Sequence, residues 1–314
     1  MELVNKIRKG NTRAIARAIS QIENNAIEKE ELIDELYSLS GNAFVIGVTG
    51  PPGAGKSTIV DRFIQMERDE GKKIAIIAVD PSSPFSGGAI LGDRLRMQTH
   101  ATDPGVFIRS MASRGHLGGI STATSGAIKV FDAAGFDTII IETIGVGQTE
   151  VEVIELADLI ILTLVPGMGD EIQAMKAGIM EIADLFLVNK SDIDGAERLK
   201  TEIEYMLMLA PNQDPPPIML ASAKNNTGTQ ELYKILFERL NFFKESGKIS
   251  TGRKVRIKKE IEHIFTTKLK EILDNQLNLT ENMELWTERV YNREIRPYNF
   301  VNEKINGLQK EKIL

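Results

Sequence analysis

Between Ala43 and about Leu240 the hydrophobic positions fall in short, nearly unbroken runs: Phe44–Val48, Ile74–Val79, Thr138–Ile141, Leu159–Val165, Leu185–Val188 and Ile218–Leu220. Helix-length stretches separate most of them. A strand that is apolar throughout is buried on both faces, so the pattern predicts an α/β fold with a mostly parallel sheet and helices above and below. Before this region, Ile15, Ala18, Ile19 and Ile22 recur at i, i+3, i+4 and i+7, which gives a helix one apolar face. Gly10-Asn11 supplies its start signal, and Glu30 to Leu39 reads as a second, shorter helix ending at Gly41. After Lys244 the polar stretch ESGKISTGRK reads as a linker. Beyond it Ile257, Ile261, Ile264, Leu269, Ile272 and Leu273 return to helical spacing. That stripe could pack on its own domain or meet a second copy of the chain. The predicted organisation is a helical extension at 1–41, a nucleotide-binding domain at 42–244, and a helical arm at 245–314.

Composition narrows the function classes. The 314 residues are 42% hydrophobic and 26% charged, as in an ordinary globular protein. No run approaches the roughly 18 to 20 apolar residues that span a bilayer. The opening MELVNKIRKG lacks the apolar core of a secretory signal, so no membrane is expected and the cytoplasm is the expected compartment. Zero cysteines exclude disulfides, thiolate metal sites and a cysteine nucleophile, and three scattered histidines do not make a soft-metal site. With 38 basic against 44 acidic residues, the net charge of −6 disfavours nucleic acid as a partner.

GPPGAGKS, following the first apolar run, matches the Walker A pattern in full: Gly50, Pro51, Pro52, Gly53, Ala54, Gly55, Lys56 and Ser57, with Thr58 next. Glycines let backbone N–H groups converge on phosphate, and the following helix N-terminus adds a favourable dipole. Lys56 is predicted to reach the β- and γ-phosphates, and the Ser57 hydroxyl to ligate Mg²⁺.

NKSD places Asn189, Lys190 and Asp192 just after the run Leu185–Val188. An aspartate there can accept from both the ring N1–H and the 2-amino group of guanine; adenine offers neither. In a partly buried pocket ATP would strand the carboxylate, and such a site rejects the wrong base strongly. Lys190's stem would cover the base, and Asn189 would tie this loop to the phosphate loop. Taken alone, NKSD could equally cap a helix. Ser222, Ala223 and Lys224 follow the next run and form a further guanine-facing loop. The three loops, in this order, predict GTP and GDP as the ligands.

Glu142 ends the run Thr138–Ile141 and opens ETIG, where a Walker B acid would help hold Mg²⁺; a plain sheet-edge glutamate is the alternative. Gly145 could offer its N–H to the γ-phosphate as part of a switch. Asp80, closing Ile74–Val79, and Asp93, in LGDRLRM, are further candidates for holding Mg²⁺ or positioning water. Asp93 could equally be a helix cap. Ser86–Gly88, Gly115–Gly119 and Gly167–Gly169 read as loops on that same edge. Arg109 and Arg114 could contact an anion, and Gln148 could orient water.

Together, GVTGPPGAGKST, AVDPSSPFSGGAILGDRLRM, FIRSMASRGHLGG, ETIGVGQTE, PGMGDEIQAMKAGI and NKSD resemble the MeaB/ArgK family of GTPases, once described as arginine/ornithine transport kinases. The resemblance runs from NTRAIARAISQIE to IRPYNF and is loose at 250–290. It implies a G-protein chaperone of an adenosylcobalamin-dependent acyl-CoA mutase, gating cofactor loading and protecting or rescuing that enzyme. It places Lys56, Ser57, Asp80, Asp93 and Glu142 around phosphates and Mg²⁺, and Asp192 on guanine. It further implies a switch loop at Gly167–Gly178 carrying Asp170, Glu171, Gln173 and Lys176, and a homodimer held partly by the C-terminal arm. A kinase would need an acceptor pocket that no motif here supplies. A nickel metallochaperone would need Cys and His ligands that the chain lacks.

Overall fold

The computed structural model describes residues 2–24, 26, 28–81, 100, 102–113, 119–143, 154–167, 179–209 and 214–310. Three helices lead the chain: α1 (Glu2–Arg8), α2 (Thr12–Glu23) and α3 (Lys29–Tyr37). Asn11 caps α2, its side chain accepting from the Ala14 amide at 2.9 Å. The sheet region follows with β1 (Phe44–Thr49), α4 (Lys56–Asp69), β2 (Ile74–Pro81), β3 (Val106–Ser113), α5 (Gly119–Ala133), β4 (Thr138–Thr143) and β5 (Leu159–Leu164). Then come α6 (Ile179–Ile182), β6 (Leu185–Val188), α7 (Ala196–Leu209), β7 (Ile218–Leu220) and α8 (Thr229–Glu245). The chain closes with α9 (Lys248–Leu277), α10 (Leu279–Tyr291) and α11 (Pro297–Lys310).

Among the described residues seven strands form one sheet in the order β3-β2-β4-β1-β5-β6-β7, and each pairing within it is parallel. The α/β class read from the apolar runs is what the chain adopts. Alternate residues of each strand face opposite layers. Val45, Ile77, Ile139 and Ile141 join a core closed by α1, α2, α3 and α5, with Ile15, Ile19, Leu36 and Phe131 fully buried. Ile46, Val48, Ile76 and Ile140 face the other way, onto Ile59, Phe63 and Ile64 of α4 and Leu232, Leu236 and Leu240 of α8. Leu162, Leu164, Phe186 and Val188 meet α7 in a third cluster.

Two readings of the pattern need correction. Val106–Ser113 is a strand although no apolar run marks it, because Arg109 and Ser110 interrupt its hydrophobic positions. Among the described residues it lies at the sheet edge, paired with β2 alone, where polar residues are tolerated. ESGKISTGRK is mostly helical rather than a polar break: α8 ends at Glu245, Gly247 turns the chain at φ 79°, and α9 begins at Lys248. Lys248 donates to Asp184 Oδ1 at 2.6 Å and lies 3.7 Å over the Phe243 ring, which pins the start of α9.

The chain divides into two compact units, 1–252 and 253–314. Within the second, Trp286 meets Phe300 edge-on at 5.1 Å, and Leu308 is buried. Along α9, Ile257, Ile261, Ile264, Phe265 and Leu269 are exposed. Among the described residues no helix is long and apolar enough to cross a membrane.

Candidate functional site

The sheet's central strand leads straight into the phosphate loop. β1 lies between β4 and β5, so Gly50 emerges where two neighbouring strands also end. Its φ of 142° is one a side chain would rarely tolerate, and a Cβ there would collide with the Thr163 carbonyl oxygen of β5. The loop then turns through Gly53 and Gly55, and Gly55, at φ 87°, opens α4. Lys56 is only 5% exposed and folds back over the loop, donating to the Gly50 and Pro51 carbonyls at 2.7 and 2.9 Å. These contacts hold the ammonium inside the loop, where arriving phosphate oxygens would meet it. Pro52, Gly53 and Thr58 face solvent, while Pro51 and Ala54 are buried.

Ser57 and Glu142 come together as expected. The Ser57 hydroxyl donates to Glu142 Oε1 at 2.6 Å, across 85 positions of sequence. Glu142 is 2% exposed, in register with Val48 of β1 and Ala78 of β2, so the acid stands at the carboxyl end of the sheet's middle strands. Beside it the Thr143 hydroxyl donates to Thr49 Oγ1 at 2.9 Å, joining the ends of β4 and β1. Asp80 lies at the carboxyl end of β2, one position past Val79, the partner of Thr143. Asp93, Gly145, Gln148, Arg114, Ser86–Gly88, most of Gly115–Gly119, and the polar members of the 167–178 stretch lie outside the described residues.

The base side is assembled by Asn189. Its Nδ2 donates to the Ala54 carbonyl at 2.8 Å, and its Oδ1 accepts from the Ala223 amide at 3.1 Å. One buried side chain thus ties the NKSD loop to the phosphate loop, as its motif predicts, and also to the Ser222–Lys224 loop. Gly55 is required for this approach, since a Cβ there would collide with the Asn189 amide nitrogen. Lys190 adopts a left-handed backbone, φ 57°, and the Ser191 amide bonds the Ala221 carbonyl at 3.0 Å. Ser222 pairs with Thr227 in a short bridge, 2.9 and 3.1 Å, that folds the last loop back.

Asp192 stands exposed rather than in the partly buried pocket its motif suggests, while Ser222 and Ala223 below it are buried. The nearby Ser222 hydroxyl, its own backbone amide and the charge of Lys224 hold its carboxyl below the ordinary carboxylate value. It is therefore an acceptor at neutral pH, the state that two guanine N–H donors require.

Arg109 is not available to a ligand anion. It pairs with Glu23 and donates to Ser20 Oγ at 3.1 Å, fastening β3 to α2. Sequence reasoning missed Arg62, whose Nε donates to the Ala223 carbonyl at 3.1 Å, and Thr163, which walls the phosphate loop. Neither belongs to a motif; only the fold brings them in.

A strand-loop-helix phosphate site beside an Asn-tethered base loop fits one family model, described as methylmalonyl Co-A mutase-associated GTPase MeaB, which matches residues 13–278. The chain belongs to the MeaB family. A protein of Pyrococcus horikoshii named as a GTPase is 45% identical over 314 residues, covering 98% of each chain. The mouse methylmalonic aciduria type A homolog, named as mitochondrial, is 32% identical over 309 residues, covering 92% of this chain and 74% of that one. The crystal structure of a LAO/AO transport system kinase superposes with a TM-score of 0.71 at 26% identity, covering 98% of this chain and 97% of that one. Like the rest of the MeaB family, the chain is a GTPase, and guanine nucleotides are its ligands.

Proposed function

We propose that this GTPase serves an adenosylcobalamin-dependent acyl-CoA mutase as a chaperone, using GTP hydrolysis to time cofactor loading and to protect or reactivate the mutase. The family match over 13–278 carries this reading, because that family is described by its association with methylmalonyl-CoA mutase. The mouse relative's name, which refers to methylmalonic aciduria, points the same way.

The residues present suit Mg²⁺, a cation that prefers oxygen ligands and keeps several waters. Ser57 and Glu142 offer two oxygens 2.6 Å apart beside the phosphate loop, with Asp80 and Asp93 the further candidates. Bound there, Mg²⁺ would offset charge on the β- and γ-phosphate oxygens. Lys56 would move from the Gly50 and Pro51 carbonyls to those same oxygens, meeting charge as it develops during in-line attack of water. Glu142, Asp80 and Asp93 would organise the attacking water, and Gly145 would sense the γ-phosphate. Asp192 would accept from guanine, with Lys190, Ser222 and Lys224 around it. With no arginine assigned to the γ-phosphate, intrinsic turnover is expected to be slow, and the mutase to speed it by ordering the switch segments.

The proposed organisation is an N-terminal extension at 1–41, the GTPase domain at 42–244, and a dimerisation arm at 245–314. The exposed stripe of Ile257, Ile261, Ile264, Phe265 and Leu269 supports a homodimer through that arm.

The test is steady-state turnover of GTP and ATP by the purified chain, alone and with a mutase from the same source. Stimulation of GTP hydrolysis alone is expected. Absence of both stimulation and a complex with any such mutase would overturn the chaperone reading.

A further inference from the structure

We infer that Arg62 is a specificity-positioning residue, which couples the phosphate-binding helix to the guanine loop through the Ala223 carbonyl. Arg62 lies on α4, six residues and about 9 Å of helix rise beyond Lys56. Its Nε donates to Ala223 O at 3.1 Å, spanning 161 positions of sequence. Ala223 is 2% exposed, and its amide is taken by Asn189 Oδ1 at 3.1 Å. Both polar groups of this one residue therefore take a side-chain partner, and the carbonyl also accepts from the Asn226 amide at 3.4 Å. One side chain comes from the NKSD loop and the other from the helix that carries Lys56 and Ser57.

The position of Ala223 matters because its two neighbours condition Asp192. The Ser191 amide bonds the Ala221 carbonyl at 3.0 Å, which sets the Asp192 loop beside Ser222, and Lys224 adds a nearby positive charge. Without Arg62 the Ala223 carbonyl keeps the longer bond from the Asn226 amide at 3.4 Å but loses its link to α4, so the loop is no longer held against the phosphate-binding helix at this point. The carboxylate that reads guanine then loses its fixed orientation. The phosphate contacts, which arise at the other end of α4, keep theirs. Arg62 touches neither nucleotide nor reacting atoms in this scheme; it acts through Ala223. The inference rests on the assignment of Asp192 to guanine.

The experiment measures GDP and inosine diphosphate affinity by competition, and GTP turnover, for the full chain and three variants. Arg62→Met keeps the stem and removes the donor. Arg62→Gln restores an amide nitrogen at the same number of bonds from Cα as Arg Nε. Asp192→Asn tests the underlying assignment. Arg62→Met is expected to weaken GDP about tenfold, the size of one charge-assisted hydrogen bond. Inosine diphosphate, lacking the 2-amino group, should weaken less, so discrimination between the two narrows. KM for GTP should rise while kcat is kept, and Arg62→Gln should recover most of the loss.

Wild-type GDP affinity in Arg62→Met would overturn the inference. So would equal weakening of both nucleotides without rescue by Gln, which is the signature of a helix that simply packs less well. Should Asp192→Asn lose GTP and ATP equally, the guanine assignment itself fails, a result distinct from either Arg62 outcome.

Discussion

At the phosphate end of the site, Lys56 is buried on two carbonyls of its own loop, and Ser57 is bonded to the buried Glu142. At the guanine end, Asp192 and Lys224 stand in solvent, while Asn189, Ser222 and Ala223 beneath them are buried. The phosphate end is built from backbone at the junction of three adjacent strands, so its geometry is set by the sheet. The guanine end is built from loops after β6 and β7, near the sheet's edge, and takes its geometry from side-chain tethers. The first arrangement suits a task common to every nucleoside triphosphate. The second suits discrimination, which a few exposed groups can supply once they are correctly aimed.

The contrast can be broken most forcefully at Lys56. Lys56→Ala should reduce GTP turnover on the order of a hundredfold or more, since it removes the cation meeting developing charge. Wild-type turnover in this variant would sink the assignment. Glu142→Gln should cut kcat by a smaller factor, about ten- to a hundredfold, while GDP affinity measured by titration holds. A loss of GDP affinity that matches the loss of kcat would make Glu142 a general scaffold instead.

At the guanine end, Asp192→Asn should weaken GTP about tenfold or more and leave ATP unaffected. Equal losses would erase the division of labour. The subtlest expectation concerns pH. Because the Asp192 carboxyl is held below its ordinary 3.8, it is ionised above that value and loses guanine only as pH falls through its depressed pKa. Its contribution to GDP affinity should therefore stay flat from pH 8 down to about 5. A step in GDP affinity within that range, abolished by Asp192→Asn, would show a carboxyl with a raised pKa.

The sequence revealed the fold wherever burial on both faces left an uninterrupted apolar run, as at Leu159–Leu164 and Leu185–Val188. It hid β3, where an edge position permits Arg109 and Ser110, and it misread ESGKISTGRK because small polar residues suit helices and loops alike. In the site, the placing of Lys56, Ser57, Glu142 and Asn189 beside the phosphate loop was legible because it depends on backbone context that a motif encodes. Arg62 and Thr163 were not, since their roles arise from contacts between segments far apart in the chain. The exposure of Asp192 was equally invisible, being a property of what surrounds the motif rather than of its letters.

The order of the strands also bears on how the protein is made. β1 carries the phosphate loop and is synthesised first, yet its neighbours are β4 and β5, residues 138–143 and 159–164. When the ribosome has completed β2, the two finished strands cannot pair with each other, for the lane between them belongs to β4. The nascent chain must therefore keep β1 without a neighbouring strand until β4 is complete at Thr143, 94 residues past Thr49 at the end of β1. A chain arrested before β5 would display a complete Walker sequence with no wall at Thr163 against which to fold it.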